Sequence, residues 1–447
     1  DSTSSTIIGG DGNDTLIFSS TLTSSSVSGG DGNDLLNFAQ IVAVSNIIDA
    51  GAGNDTLLFS TTVSAALIFG QSGNDSFSFG NMLTNATLNA GDGNDSLTLI
   101  SNVTGSYISM DSGSDLVVFA TSTTLTSSSV FGGSGGDTLS FLGVVGASTI
   151  DAGAGEDSLY FSLALTSTTA SGGAGNDTLS FANSITAVSI SGDAGSDLVS
   201  ITSGVFASTL AGGSEEDSFY FGSTVSSSYI SLDAGSDLAI FNNRISGNTT
   251  ILGGTGADTL LFNSTVDAGI SIDAGLGNDS VYFSLALTST GVVLGGGADT
   301  LTFNAQASNV FISAGASQTQ TIAFSSAADF VSFDGTFGAG SILGGGGADT
   351  LNFLSTSRLN GGVVSLGSSA DQVTFAGTVS GSTIYSGGGN DTLNFASMTT
   401  AVFADALASG AQVSFSSAAD FVSFDGNVSG STIYSGGGND TLNFASM

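Results

Sequence analysis

Large apolar residues recur two and four positions after an aspartate throughout this 447-residue chain. In Asp14-Thr15-Leu16-Ile17-Phe18, Leu16 and Phe18 alternate with Thr15 and Ile17. Period two predicts a short strand with Leu16 and Phe18 facing inward. A polar stretch, Ser19 to Ser26, follows with one apolar residue, Leu22, and then a second short strand around Val27. That strand runs into Gly29-Gly30-Asp31-Gly32-Asn33-Asp34, whose glycines mark a tight turn. The same apolar offsets place Val103 and Ile108 after Asp95, Val145 and Ile150 after Asp137, Ile185 and Ile190 after Asp177, and Val225 and Ile230 after Asp217. The step with apolar residues at both two and four positions after Asp occurs 21 times, 19 of them ending in Phe, from Asp14/Phe18 to Asp440/Phe444. Most successive steps repeat with a period of roughly 20 residues, as Asp14, Asp34, Asp55 and Asp75 do. Such a period means a coil stacked on copies of itself rather than a globular core. Each coil is expected to carry two short strands, paired in parallel with the next coil at about 4.8 Å, so that about 22 coils span on the order of 100 Å. No helical period is present.

Charge then separates the two columns that this step creates. The chain holds 38 acidic residues and two arginines, Arg244 and Arg358, for a formal net charge of −36. It has no Lys, His, Cys, Pro or Trp. A chain without a basic patch does not bind nucleic acid electrostatically, nor is it drawn to an anionic membrane. The absence of cysteine excludes disulfides and thiolate metal sites, and the absence of histidine removes the commonest catalytic base. High charge often goes with disorder, but 40% hydrophobic residues at fixed positions argue for a core. No apolar run is long enough to insert in a membrane. No basic-then-apolar leader opens the chain, so no signal peptide is visible and the chain is expected to start inside the array.

The Phe column reads as a buried ladder, because the phenyls alternate with polar residues on a strand. The Asp column places carboxylates about 5 Å apart along one edge, where each neighbouring pair repels by roughly 1 kcal/mol in water and several-fold more at an effective dielectric of 20. Asp also favours turns for its own sake. Turn chemistry alone, however, does not fix Asp at one position behind glycines. Carboxylate and turn carbonyl oxygens are hard ligands that suit Ca²⁺, whereas Mg²⁺ demands a tighter octahedron.

Gly29–Asp34, Gly132–Asp137, Gly172–Asp177 and Gly253–Asp258, with Gly91–Asp95 close to them, resemble the RTX (repeats-in-toxin) calcium-binding nonapeptide, G-G-x-G-x-D-x-U-x with U apolar. The resemblance covers essentially the whole chain, and it implies an all-β fold, a right-handed parallel β-solenoid of the RTX β-roll kind. It implies that turn carbonyls and motif-ending aspartates hold multiple Ca²⁺, roughly one per regular coil. The metal ligands carried over are Asp14, Asp34, Asp55, Asp75, Asp95, Asp115, Asp137, Asp157, Asp177, Asp197, Asp217, Asp237, Asp258, Asp279, Asp299, Asp349, Asp391 and Asp440. The spacing here is about twice that of the family's nonapeptide, and is expected to put calcium on one edge and a Ser/Thr turn on the other. Three turns read as shorter and carry a second carboxylate, Asp111, Asp193 or Asp233, expected to replace a lost carbonyl ligand. Ser325–Asp329 and Ser416–Asp420 lack glycine and are expected to bind calcium weakly or not at all. About 18 loaded turns would cancel the formal charge, so that binding and folding become one event.

Gln320 and Ala411 stand where Asp belongs, and Asp329 and Asp420 follow each of them by nine residues. Half a coil predicts that the acid column changes edge near 320–329 and again near 411–420. Residues 1–319 are read as regular calcium-binding solenoid and 320–447 as its continuation with these switches. The second stretch contains a 49-residue higher-order repeat, with Val379–Met398 identical to Val428–Met447.

Other features carry less. Ile17, Leu58, Val118, Tyr160, Tyr220, Ile240, Leu261 and Tyr282 fall on outward strand positions, as scattered surface residues or as a lateral contact stripe. Sequons such as Asn13-Asp14-Thr15 overlap the turn and read as by-products of the motif. Arg244 and Arg358 are expected to pair with local acids, and Glu215/Glu216 is a weak candidate acid/base couple. Nothing at either end resembles a polar capping repeat, so the chain is expected either to be a slice of a longer protein or to stack head to tail into an open filament, with lateral contacts and a surface polysaccharide as further partners. The reading is a non-enzymatic, extracellular, calcium-folded structural protein of a bacterial surface filament, surface layer or adhesin stalk. Its rivals are a calcium-folded module beside a secreted enzyme or toxin, a carbohydrate-acting solenoid, and, lower still, an ice-binding solenoid.

Overall fold

Every inward position of the repeat is filled by one column of like residues, and the columns explain the architecture. The computed structural model describes residues 2–404, 407, 411–415, 421–428 and 430–446. The chain is an all-β, right-handed parallel β-solenoid of about 21 turns, about 20 residues apart. It divides into two compact units, Asp1–Ser223 and Thr224–Met447.

In the first unit the coils have three strands, not the two expected, except that at Val42 the third is a lone bridge. A six-residue strand such as Ser26–Asp31 enters the acid turn, and a four-residue strand such as Leu35–Phe38 leaves it. A two-residue strand such as Leu22–Thr23 closes the coil. The third strand lies where the sequence reading placed a polar stretch. The single apolar residue there (Leu22, Val63, Leu83, Val103) points inward and is fully buried. Burying it requires a corner on each side, which leaves only two residues to pair with the next coil, as in Leu83↔Val103 and Thr84↔Thr104. One of those corners holds a left-handed residue in each coil, and it is often not glycine: Ala65, Ala147, Ala187 and Ala207 have φ between 49° and 54°.

All three strand sets pair in parallel with the coil one period away, for example Thr15↔Leu35 through Phe18↔Phe38, and Thr149↔Thr169 through Ala154↔Ala174. The phenyl rings stack with their neighbours, Phe38 on Phe59 at 4.8 Å and 4°, Phe59 on Phe79 at 4.6 Å and 6°, and Phe161 on Phe181 at 4.9 Å and 2°. The strand spacing sets this distance, since side chains at one strand position in successive coils must repeat at the sheet interval. Leu99 and Ile201 replace Phe at two levels and stay buried.

The second unit begins on the same plan and then changes. Thr321–Ala323 pairs with Thr300–Phe303, so Gln320 takes the level after Asp299. Phe330–Phe337 instead pairs with Ala307–Gln318, a strand on a different side of the coil. Asp329, Asp349, Asp371 and Asp391 therefore stand at the start of a strand series distinct from the one headed by Asp258, Asp279 and Asp299. Asp420 and the rest of Ser416–Asp420 lie outside the described residues.

Candidate metal column

The acid turns place each motif-ending aspartate inside the coil. Asp34, Asp55, Asp75, Asp95, Asp115, Asp137, Asp157, Asp177, Asp197 and Asp217 of the first unit are all buried, although carboxylates normally seek water. Each Oδ1 accepts the backbone N–H of the aspartate one coil earlier. Asp34 accepts from Asp14, Asp55 from Asp34 and Asp75 from Asp55, each at 2.7 Å, and the ladder continues to Asp217, which accepts from Asp197 at 2.8 Å. In the second unit Asp258, Asp279 and Asp299 do the same for Asp237, Asp258 and Asp279 at 2.9 to 3.1 Å. On the other side of that unit Asp349, Asp371 and Asp391 serve Asp329, Asp349 and Asp371 at 2.9 to 3.0 Å.

The ladder uses one carboxylate oxygen and strands the other. Oδ2 of Asp34, Asp55, Asp75, Asp95, Asp115, Asp137, Asp157, Asp177 and Asp197 is buried and accepts no hydrogen bond, as is Oδ2 of Asp258, Asp279, Asp299, Asp349 and Asp371. A buried acceptor without a donor costs about 1–3 kcal/mol, and more when charged. Where a motif opens with glycine, that glycine shows what surrounds the stranded oxygen. A methyl group on Gly132 would lie 2.2 Å from the Ala152 carbonyl oxygen and 2.5 Å from Asp137 Oδ2. At Gly29 the corresponding distances are 2.3 Å to the Ala50 oxygen and 2.4 Å to Asp34 Oδ2, and Gly70 and Gly192 repeat the arrangement. A carbonyl oxygen of the following coil and the stranded carboxylate oxygen thus converge under one glycine.

Burial acts on the acidities. It pushes Asp75, Asp95, Asp115, Asp137 and Asp177 up to about 7, against the lowering effect of the N–H bond from the preceding aspartate. Neighbouring carboxylates in the column raise them further. Asp279 and Asp349 in the second unit also reach about 7, and Asp371 about 6, again chiefly through burial.

A hard cation is the group these residues fit. Among the described residues no three acidic side chains gather at one point, so backbone carbonyls must supply the rest of any coordination shell. The stranded Oδ2 and the converging carbonyl are oxygens of that kind. Ca²⁺, when bound, supplies the divalent charge that compensates a column of buried carboxylates.

The turns are not uniform. Met110, Leu232, Leu294 and Leu366 occupy the place of the first glycine ahead of Asp115, Asp237, Asp299 and Asp371, and all are buried. The three turns read as shorter are full length. Asp111, Asp193 and Asp233 replace the second glycine and adopt its left-handed backbone, at φ 67°, 79° and 69°. Gly173↔Asp193↔Gly213 keeps the register unbroken. Their carboxylates lie outside the column: Ser109 donates to Asp111, Ser171 and Ser191 to Asp193, and Ser231 to Asp233. Asp440 is described in the last turn, where it is half-buried.

Sequence reasoning expected weak or no binding at Asp329 and left out Asp371. Both are buried with an unpartnered Oδ2, like the named ligands. Their turns carry little or no glycine, but the four-residue step to Phe333 and Phe375 marks them. It also missed a second ladder. Asn13, Asn33, Asn54 and Asn74 accept the N–H of Asn33, Asn54, Asn74 and Asn94 one coil later, the reverse direction to the aspartates. This engages the side-chain oxygens of three sequon asparagines, Asn13, Asn54 and Asn74, in turn structure.

A family model of the RTX calcium-binding nonapeptide repeat, in four copies, matches residues 3–20, 45–58, 167–181, 245–261, 374–397 and 425–446. No curated protein matches the chain. Among solved structures, a hyperactive, Ca²⁺-dependent, β-helical antifreeze protein from an Antarctic bacterium is 16% identical, over 81% of this chain and 82% of that one, with a TM-score of 0.22. The PL6 family alginate lyase AlyGC is 8% identical, over 98% and 96%, with a TM-score of 0.15. The recurring motif and the matched model lead to one conclusion: the chain is a repeat protein that carries stretches similar to the RTX calcium-binding nonapeptide repeat.

Proposed function

We propose that the chain is a non-enzymatic structural protein outside the cell, folded by Ca²⁺ and contributing to a bacterial surface filament, surface layer or adhesin stalk. The observation that carries this reading is the column of buried aspartates with an unpartnered oxygen. Such a column is unfavourable until a cation enters it, so the fold depends on the calcium concentration around it. Free Ca²⁺ is millimolar outside cells and scarce within, which suits an array of many moderate sites. Roughly one ion per regular coil brings the formal −36 close to neutrality.

A structural role is further supported by the chemistry the chain lacks. The chain has no histidine or cysteine for acid–base or nucleophilic chemistry. Glu215, at φ 78°, sits in the turn leading to Asp217 in the place of a glycine, a backbone role rather than an acid/base one. Outward residues on the four-residue strands, Ile17, Tyr160 and Tyr220, are exposed and offer contact points for lateral association. Electron microscopy of the purified chain in millimolar Ca²⁺ and in EGTA tests the proposal. Filaments or sheets that dissolve with EGTA support it; compact particles indifferent to calcium refute it.

A further inference from the structure

Both arginines lie in the second unit, Arg244 on the edge opposite the Asp237 turn, and Arg358 on the edge opposite the Asp349 turn, along which the Asp299 and Gln320 levels run. Arg244 is neutralised there: Nε donates to Asp267 Oδ1 at 2.9 Å and Nη2 to Oδ2 at 2.6 Å. Arg358 is exposed and, among the described residues, has no carboxylate partner. In a chain with 38 acids, a guanidinium left without one is unusual.

Arg358 opens on a groove of about 310 Å³ lined by Thr336, Arg358, Leu359, Asn360, Thr378 and Ser380. Register builds this groove. Arg358 pairs with Thr336 on one side and Thr378 on the other, and Asn360 pairs with Ser380. Leu359 turns inward and is buried between Phe337 and Val379, which leaves the polar residues on either side of it facing out. Register shifts between Phe375 and Thr378 and between Val379 and Ser380 break the flatness of the edge at this level.

The lining defines a ligand class. A guanidinium is a planar fork that binds a carboxylate through two parallel hydrogen bonds. Beside it stand one amide and three hydroxyls, groups that both donate and accept, as ring hydroxyls require. No aromatic face is present for a nucleobase, and the volume sits at the small end of ligand pockets, enough for one sugar residue. The Asp349 and Asp371 turns of these levels lie across the coil, and at physiological salt their field is screened over about 8 Å. We propose that this groove binds a uronic acid residue of a saccharide, its carboxylate on Arg358 and its hydroxyls on Asn360, Thr378 and Ser380.

The inference is independent of how the coils assemble and is tested on the calcium-loaded full chain. Isothermal titration with methyl glucuronide is expected to show one saturable site. Methyl glucoside, which lacks the charge, is expected to bind at least about tenfold more weakly, as is Arg358→Gln with the glucuronide, because the fork is lost. Asn360→Ala is expected to weaken glucuronide but not sodium sulfate. Unchanged circular dichroism shows that each variant folds. The proposal is overturned if Arg358→Gln binds glucuronide like the parent chain, as bridging through column calcium would give. It is equally overturned if the glucoside binds as well, if sulfate binds as tightly and Asn360→Ala weakens both alike, or if no site saturates.

Discussion

Replacing Asp137 by Asn separates a metal column from a hydrogen-bond ladder, because the two give opposite signs. Asn keeps an oxygen for the Asp115 N–H, which Asp137 Oδ1 accepts at 2.8 Å. It puts an N–H₂ in place of the unpartnered Oδ2, close to the converging Ala152 carbonyl. Without calcium the substitution removes a buried, unsatisfied acceptor and supplies a donor, so the fold should gain about 1–3 kcal/mol. With calcium it removes a carboxylate ligand. A site held at 100 times its dissociation constant contributes about 2.7 kcal/mol, so its loss should cost that order. Denaturant unfolding of parent and variant, in EGTA and in millimolar Ca²⁺, measures both. Because repeats unfold as coupled neighbours, exchange of the Asp115 amide hydrogen provides a local readout. Destabilisation of equal size in both buffers would refute the reasoning, since it would make the aspartate a ladder element alone.

Three more outcomes follow from the same geometry. Asp75, Asp95, Asp115, Asp137 and Asp177 are pushed up to about 7 in the metal-free fold. The fold then holds more protons than the unfolded chain between about pH 4 and 7, so stability falls as pH rises through that window. In EGTA, β-structure followed by circular dichroism should accordingly be greater at pH 5 than at pH 8; the reverse order would contradict the burial of these acids. Gln320→Asp restores a carboxylate at the level after Asp299, and should raise the Ca²⁺ stoichiometry by one while lowering stability in EGTA, as read by equilibrium dialysis and unfolding. Ala187→Gly relieves a left-handed corner at φ 54°, and, offset by glycine's chain entropy, should stabilise by up to about 1 kcal/mol in denaturant titration.

Much of this was legible in the pattern of residues. The alternation of Leu36 and Phe38, repeated once per coil, gave the inward faces, the parallel register and the Phe ladder. The aspartate at each motif end marked the column. Its burial was not legible, because Asp34 and Asp31 look alike in sequence while one lies inside the turn and the other outside. The length of the Asp111, Asp193 and Asp233 turns was misread because those acids take a glycine's place, a substitution visible only from φ and register. The third strand escaped because so short a segment carries too little periodicity.

Val379–Met398 and Val428–Met447 mark where local information stops. Their sequences are identical, and the alternation in each fixes which side chains point inward. It does not fix the face. The first copy sets Thr392 on Gln372, in the series that Asp371 heads. The second sets Thr441 on Phe421, in the series that runs back through Thr400 and the Thr383–Ile384 level to Val363. A strand's pairing partner is set by how much chain has wound since the coil before it, and the step from Asp391 to Asp420 is longer than the usual one by about half a coil. Sequence therefore determined the coil, its core and the acids that need a cation. Only the stacked structure decided on which edge each acid lies, since a parallel ladder takes its register from the neighbour it is built upon.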